Sequence, residues 1–280
     1  MRFAKMHGLG NDYVYVNAFE EKVENPSALA RAVADRHFGI GGDGLVLIAP
    51  SEAADFQMLM YNADGSQGEM CGNASRCVAK YVYDHGMTDK TAITLETLDG
   101  IKRLYMTVEA GKVVSVRVDM GKPKIECGEV PCLLGSGIVR RAKIEALDRT
   151  FEITPVCTGN PHGVIFLHEP VETFDIGRYG PVLENHPVFP KKANIEFVNV
   201  VSRDRLRMRV WERGSGVTMA CGTGSCAVLV AASICGLADR KATIVLDGGE
   251  LVDEWDEETG HVFMTGPATH VFDGEYDVHI

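Results

Sequence analysis

The 280-residue chain has no apolar run as long as a membrane span. Its longest such run, Cys226 to Cys235, reads as a buried helix. The opening MRFAKMHGLGNDY lacks an apolar core of signal-peptide length, so the cytoplasm is the expected compartment. Positive charge is scarce: 28 Lys and Arg stand against 39 Asp and Glu, a net charge of −11. That balance argues against nucleic acid and anionic membranes as partners. It also repels anionic substrates, so a bound carboxylate must be held by local groups. The eight cysteines form no C-x-x-C and share no zinc spacing with a histidine pair, so no metal site is expected. In a reducing compartment they are expected as thiols. The glycine-rich stretch from Gly39 to Gly44 lacks the Gly-Lys-Ser/Thr ending of a phosphate loop. Low-complexity segments are missing too, and the length allows two domains.

What the chain does have is a motif that occurs twice. Met70-Cys71-Gly72-Asn73-Ala74-Ser75-Arg76-Cys77 is matched by Ala220-Cys221-Gly222-Thr223-Gly224-Ser225-Cys226. Each Cys-Gly opens an apolar, helix-like run, stopped by Gly86 in one copy and Gly236 in the other. Each follows an alternating, strand-like segment ending in a polar side chain, Asn62 or Glu212, nine residues before the cysteine. Further landmarks keep nearly the same offset. Gly10-Asn11 matches Gly159-Asn160, 149 later, and Asp43 matches Asn194, 151 later. Together they indicate an internal duplication.

Strands are expected near 2–7, 13–16, 45–48, 56–61, 92–97, 103–109 and 113–119. The second half should repeat them near 151–156, 164–167, 195–201, 204–211, 242–247, 250–255 and 261–264. Asn25-Pro26 reads as the N-cap and first position of a helix with Leu29, Ala32, Val33 and His37 on one face. Residues 159–162 read as a turn, and 174–184 as weakly helical. The run after Cys221 is apolar on nearly all sides, so it must be surrounded. The expected fold class is α+β: two pseudo-symmetric domains from the duplication, each a curved, mainly antiparallel sheet wrapped around a central helix. The first should span 1–120 and the second 121–268, with the active site in the cleft between them.

A thiol at a helix N-terminus lies beside unpaired backbone N–H groups and the positive end of the dipole, which favour thiolate. The same N–H groups bind carboxylates, and the adjacent glycine permits close approach. Two such ends facing each other would hold a carboxylate on N–H groups of Gly72, Asn73, Gly222 and Thr223, with one sulfur on each side of the neighbouring carbon. That suits inversion of a stereocentre, one thiolate as base and one thiol as acid. Nothing in the pattern demands pyridoxal phosphate, although spacing alone leaves a lysine imine open.

The motifs HGLGND (7–12), YNADGSQGEMCGN (61–73), GNPH (159–162), ANIEF (193–197) and ERGSGVTMACGTGSCA (212–227) resemble those of diaminopimelate epimerases. The resemblance runs from Phe3 to the last strands. It implies a cofactor-independent enzyme that interconverts L,L- and meso-2,6-diaminopimelate for lysine and cell-wall synthesis, and that assembles as a homodimer. It implies that Cys71 and Cys221 are the two catalytic groups. Asn11, Asn62, Asn160, Asn194, Glu212 and Arg213, with the backbone at Gly72-Asn73 and Gly222-Thr223, should contact substrate. His162 and Glu212 should tune the thiols, and a C-terminal strand, 269–280, should return to the first domain. One departure is Gly44, where some relatives carry a side-chain amide.

Plainer readings exist. Asn11 and Asn160 suit turns anyway, His162 could sit in a solvated loop, and Glu212-Arg213 could be an exposed ion pair. Cys77, Cys127, Cys132, Cys157, Cys226 and Cys235 are read as inert buried residues. The rival functions are a proline or hydroxyproline-type racemase of the same fold, a thiol-disulfide redox protein using Cys71 and Cys221, and a non-catalytic amino-acid-binding protein. Arg213, Asn62 and Asn194 favour a substrate with a second amino-acid end, because arginine can hold its carboxylate through two hydrogen bonds.

Overall fold

The computed structural model describes residues 1–278. The chain divides into two compact units, 1–119 together with 265–280, and 120–264. The final two residues of the expected C-terminal strand, 279 and 280, lie outside the described residues.

Unit 1 begins with strands β1 (Arg2–Gly8) and β2 (Asn11–Asn17), then helix α1 (Pro26–Ala34). Strands β3 (Gly44–Ala49), β4 (Phe56–Asn62) and β5 (Gln67–Gly68) precede helix α2 (Gly72–Asp84). Strands β6 (Ala92–Thr97), β7 (Gly100–Glu109) and β8 (Lys112–Asp119) follow. β1 pairs antiparallel with β2, β2 parallel with β3, and β3 antiparallel with β4. β4 pairs antiparallel with β5 and parallel with β6, and β6–β7–β8 is an antiparallel meander.

Unit 2 repeats this order. It starts with an added strand, β9 (Ala142–Ala146), then β10 (Arg149–Cys157), β11 (Pro161–Phe166) and helix α3 (Ile176–Glu184). Next come β12 (Asn194–Ser202), β13 (Arg205–Glu212), β14 (Gly216–Thr218) and helix α4 (Gly222–Ile234), then β15 (Lys241–Leu246), β16 (Gly249–Trp255) and β17 (Val262–Gly266). β10–β11 is antiparallel, β11–β12 parallel, β12–β13 antiparallel, β13–β14 antiparallel, β13–β15 parallel and β15–β16 antiparallel, as in unit 1. β9 pairs with the outer edge of β10. In unit 1 the place beside β1 is taken by the last strand, β18 (Thr269–Glu275), also antiparallel. The duplicated α+β fold is therefore present, with the pairings of β1 to β7 repeated from β10 to β16.

Local sequence accounts for these elements. In β13 the buried Leu206, Met208 and Val210 alternate with Arg205, Arg207 and Arg209, the period of a half-buried strand. The Asn25 side chain accepts the Ala28 N–H and Pro26 opens α1, but Ala30 and Ala34 join Leu29 and Val33 on its buried face. His37 lies beyond the helix and is exposed, which corrects its expected place. α2 and α4 end alike: Gly86 and Gly236 adopt φ near +70° and bond back into the last turn. Both helices are mostly buried, α4 from Gly224 to Ala232 without a break. α2 packs on β1, β2, β7 and β8, and α4 on β10 to β13, β15 and β16.

The turn expected at 159–162 ends sooner, because Pro161 and His162 already belong to β11. Proline is tolerated as the first residue of a strand. The register also corrects one sequence match. His162 pairs with Asn194 where Tyr13 pairs with Gly44, so the counterpart of Asn194 is Gly44 and not Asp43.

Candidate active site

In unit 1, Cys71 is the N-cap of α2, and its sulfur accepts the Ala74 N–H at 3.4 Å. Cysteine takes the place of the usual Ser or Asp because a short, acceptor-bearing side chain suffices there. The half-buried Cys71 Sγ also lies 3.3 Å from Asn11 Oδ1. Asn11, at the β1–β2 turn, accepts from Asn73 Nδ2 at 3.3 Å and donates through Nδ2 to Asp43 at 2.8 Å. Asp43 also accepts the Asp12 N–H and a bond from Arg36, while Asp12 is bridged by Lys5 and Arg36. These cations hold the Asp12 carboxyl below its usual range, against the effect of its burial.

Asn73 is fixed from the other side by Arg76, whose Nη2 donates to Asn73 Oδ1 at 3.0 Å. Arg76 is fully buried, and its Nε donates to the Pro267 carbonyl. It was missing from the sequence-derived set. The signal was there: an arginine inside a run that must be enclosed needs internal acceptors. Asn62, at the end of β4, bonds to Ser66 Oγ at 2.9 Å. Gly44 lies opposite Asn62 in the β3–β4 ladder. A Cβ there would stand 2.0 Å from the Tyr61 carbonyl oxygen, so this backbone leaves no room for an amide side chain.

In unit 2, Cys221 is the N-cap of α4 and accepts the Gly224 N–H at 3.3 Å. Its sulfur is 3.5 Å from Thr223 Oγ1. The Thr223 carbonyl accepts from Thr158 Oγ1 at 2.9 Å, tying the first turn to the end of β10. Glu212, at the end of β13, accepts from Thr218 Oγ1. Asn194 accepts the Arg213 N–H at 2.8 Å and reaches the Pro161 carbonyl at 3.4 Å. The Arg213 side chain is exposed and donates to the Lys191 carbonyl at 3.0 Å.

His162 is fully buried, not in a solvated loop. Its Nδ1 is 2.6 Å from Glu196 Oε1 and its Nε2 is 2.8 Å from Asn160 Oδ1. Glu196 was also missing from the sequence-derived set, although an acid between the inward Ile195 and Phe197 is a strong signal of a buried polar site. Its carboxyl is completely enclosed, and a Cβ at Gly224 would come within 2.8 Å of it and 3.1 Å of Cys221 Sγ. Glycine at 224 is what allows this carboxyl so near the thiol.

Burial pushes the Glu196 and Glu212 carboxyls up. It pushes the Cys221 thiol well up, and the two carboxylates push it further; Thr223 and the Gly224 N–H oppose them and lose. The helix terminus acts on Cys221 in the expected direction, through the Gly224 N–H, but does not prevail. One weak N–H bond at the terminus is outweighed by full burial and two like-signed neighbours.

Among the other cysteines, Cys77 and Cys226 are fully enclosed. The Cys127 and Cys132 sulfurs approach to 3.0 Å, and burial and this contact push the Cys132 thiol up to about 12. A thiol so reluctant to ionise is inert as a nucleophile at neutral pH.

Residues 3–126 and 154–271 match the family model described as diaminopimelate epimerase, so each arm of the duplication is covered. The chain belongs to the diaminopimelate epimerase family. It is 57% identical to the diaminopimelate epimerase of Acetivibrio thermocellus over 100% of this chain and 99% of that one. It is 55% identical to that of Methanococcus maripaludis strain C5, over 99% and 100%. Among solved structures, a phenazine biosynthesis protein of the PhzF family from Bacillus anthracis superposes with a TM-score of 0.72 at 16% identity, covering 99% of each chain. A probable proline racemase from Agrobacterium radiobacter K84 gives 0.68 at 16%, covering 99% of this chain and 93% of that one. These two likenesses show the shared fold alone. No helix among the described residues of this family member is long and apolar enough to cross a membrane.

Proposed function

We propose that the chain interconverts L,L- and meso-2,6-diaminopimelate by proton transfer at the α-carbon, with Cys71 and Cys221 on opposite faces of that carbon. The observation that carries this reading is the pair of cysteines, each capping a buried central helix in one arm of the duplication. A thiolate takes the α-proton, and the C–H electron pair moves into the α-carboxylate. The first-turn N–H groups of Gly72, Asn73, Gly222 and Thr223 hold that carboxylate and take up the growing charge. The opposite thiol then forms the new C–H bond. Burial and the two carboxylates push Cys221 toward the thiol, so in the direction that starts from Cys221 as thiol Cys71 is the base, and in the reverse direction the two exchange roles. Between turnovers in the first direction Cys71 gives up the abstracted proton to solvent and Cys221 takes one back through Glu212, the carboxyl whose charge bears on it, while the His162–Glu196 pair holds Asn160. Asn62, Asn194, Arg213 and Asn11 hold the rest of the substrate, Arg213 by pairing its guanidinium with the distal carboxylate. The reaction belongs to lysine and peptidoglycan precursor synthesis in the cytoplasm. Val271 and Phe272, exposed apolar residues on β18, support assembly as a homodimer along that strand.

Incubation with L,L-diaminopimelate in deuterated water, with no added cofactor, tests the reading. Deuterium should appear at the α-position of the product centre. Conversion without solvent deuterium, or turnover of proline in its place, would overturn it.

A further inference from the structure

The C-terminal strand of unit 1 carries a cluster that the reaction does not use. His85, His270 and Asp273 place one ligand atom each within 4.8 Å of one another. They come from two elements. His85 is the C-cap of α2, and His270 and Asp273 belong to β18. Residues three apart on a regular strand point to opposite faces. Here the register changes: Lys5 pairs with Phe272 but Met6 pairs with His270, so Val271 is an extra residue, a bulge. Ala4 pairs with Asp273 and Met6 with His270, and paired residues share a face. The bulge thus turns both ligands onto the side of Met6, where α2 packs on β1.

The three side chains are already oriented. His270 Nε2 is 2.8 Å from Asp273 Oδ1. His85 stacks on Tyr81 with ring centroids 4.0 Å apart, and its Nδ1 is 2.9 Å from the Tyr81 carbonyl. An Nδ1–H donated to that carbonyl leaves the Nε2 lone pair outward, the arrangement that backs metal-bound imidazoles. The cluster lines a cavity of about 620 Å³ that also includes Lys80, Lys112 and Asp84. The Lys80 ammonium is occupied by Asp84 at 2.8 Å and the Val113 carbonyl, and Lys112 donates to the Asp84 carbonyl. Both lysine charges are thus engaged on the Asp84 side of the cavity.

We propose that His85, His270 and Asp273 bind a divalent transition-metal ion of borderline softness, such as Zn²⁺, Co²⁺ or Ni²⁺. Two imidazoles and a carboxylate suit these ions and not the hard ions Mg²⁺ or Ca²⁺. Three protein ligands leave a position for water. The ion joins the two chain segments that build unit 1, tying β18 to the end of the helix that presents Cys71. Its role is structural, and it adds stability by binding the folded state.

The test uses the full chain, stripped with a chelator and titrated with Co²⁺. The expected result is one Co²⁺ per chain with a spectrum of nitrogen and oxygen ligands and no intense thiolate-to-cobalt band. His85→Ala and His270→Ala should each weaken binding at least about tenfold. Asp273→Asn should weaken it as well. Zn²⁺ should raise the melting temperature of the parent chain and not that of His270→Ala, whose fold and epimerase turnover without metal should match the parent's. Absence of binding, a thiolate band, or unchanged affinity in both histidine variants would overturn the proposal.

Discussion

The two units share an order of strands and helices but not an electrostatic design. Around Cys71 the groups are amides held by cations: Asn11, Asn73, Arg76, and beyond them Asp43 with Arg36. Around Cys221 they are acids held by hydroxyls and an imidazole: Glu212 with Thr218, and Glu196 with His162. The strand registers show how this arose from one template. The positions of His162 and Glu196 are taken in unit 1 by Tyr13 and Val46, so the buried acid–imidazole pair has no counterpart there. Position 76, an enclosed arginine, answers to Cys226, an enclosed thiol. Duplication supplies two similar thiols at two helix ends, and divergence around them makes one more acidic in its surroundings than the other. A reaction that takes a proton on one side and gives one on the other needs that inequality.

The largest expected effect breaks the comparison at its centre. Cys71→Ala or Cys221→Ala should each lower turnover by about 10³-fold or more, with the fold retained by circular dichroism. Near-normal epimerisation in either variant would show that two thiols are not required.

Next is Arg76→Met, which makes position 76 apolar like its counterpart. It leaves Asn73 Oδ1 and the Pro267 carbonyl without this buried donor, and should cost about 3 kcal/mol in denaturant unfolding. A loss below about 1 kcal/mol would mean that the guanidinium contributes little net binding inside unit 1.

Gly44→Asn copies Asn194 into the matching position of unit 1. Because a Cβ would meet the Tyr61 carbonyl at 2.0 Å, the strands must shift, at a cost of about 2 kcal/mol. A variant as stable as the parent would show that β3 and β4 yield easily.

The subtlest is Glu196→Gln. Ionised Glu196 raises the Cys221 thiol. Removing its charge makes that thiol easier to ionise, so the alkaline limb of the kcat/KM profile should move to lower pH, with little change in KM. An unmoved limb would mean that Glu196 only fills space beside His162.

Much of this was legible in the chain. The two Cys-Gly motifs, their strand-like approaches ending in Asn62 and Glu212, and the stops at Gly86 and Gly236 are local features set by backbone preference and short-range periodicity. β5, β9 and β14 were not legible, because strands of two to five residues at an edge carry too few alternations to register. Arg76 and Glu196 were visible as polar residues in apolar company, but their partners lie far along the chain, at Pro267 and at His162. The match of Asn194 to Asp43 failed by one residue, since sequence offset cannot detect which residue faces which across a ladder.

The sequence by itself determined the duplication, the helix ends and the two cysteines that cap them. Those follow from neighbours a few residues apart. Only the tertiary structure decided which way the Cys221 thiol is pushed. A helix terminus read from sequence favours thiolate, but desolvation and charge depend on what is packed nearby, and burial with two carboxyls from β12 and β13 pushes this thiol up.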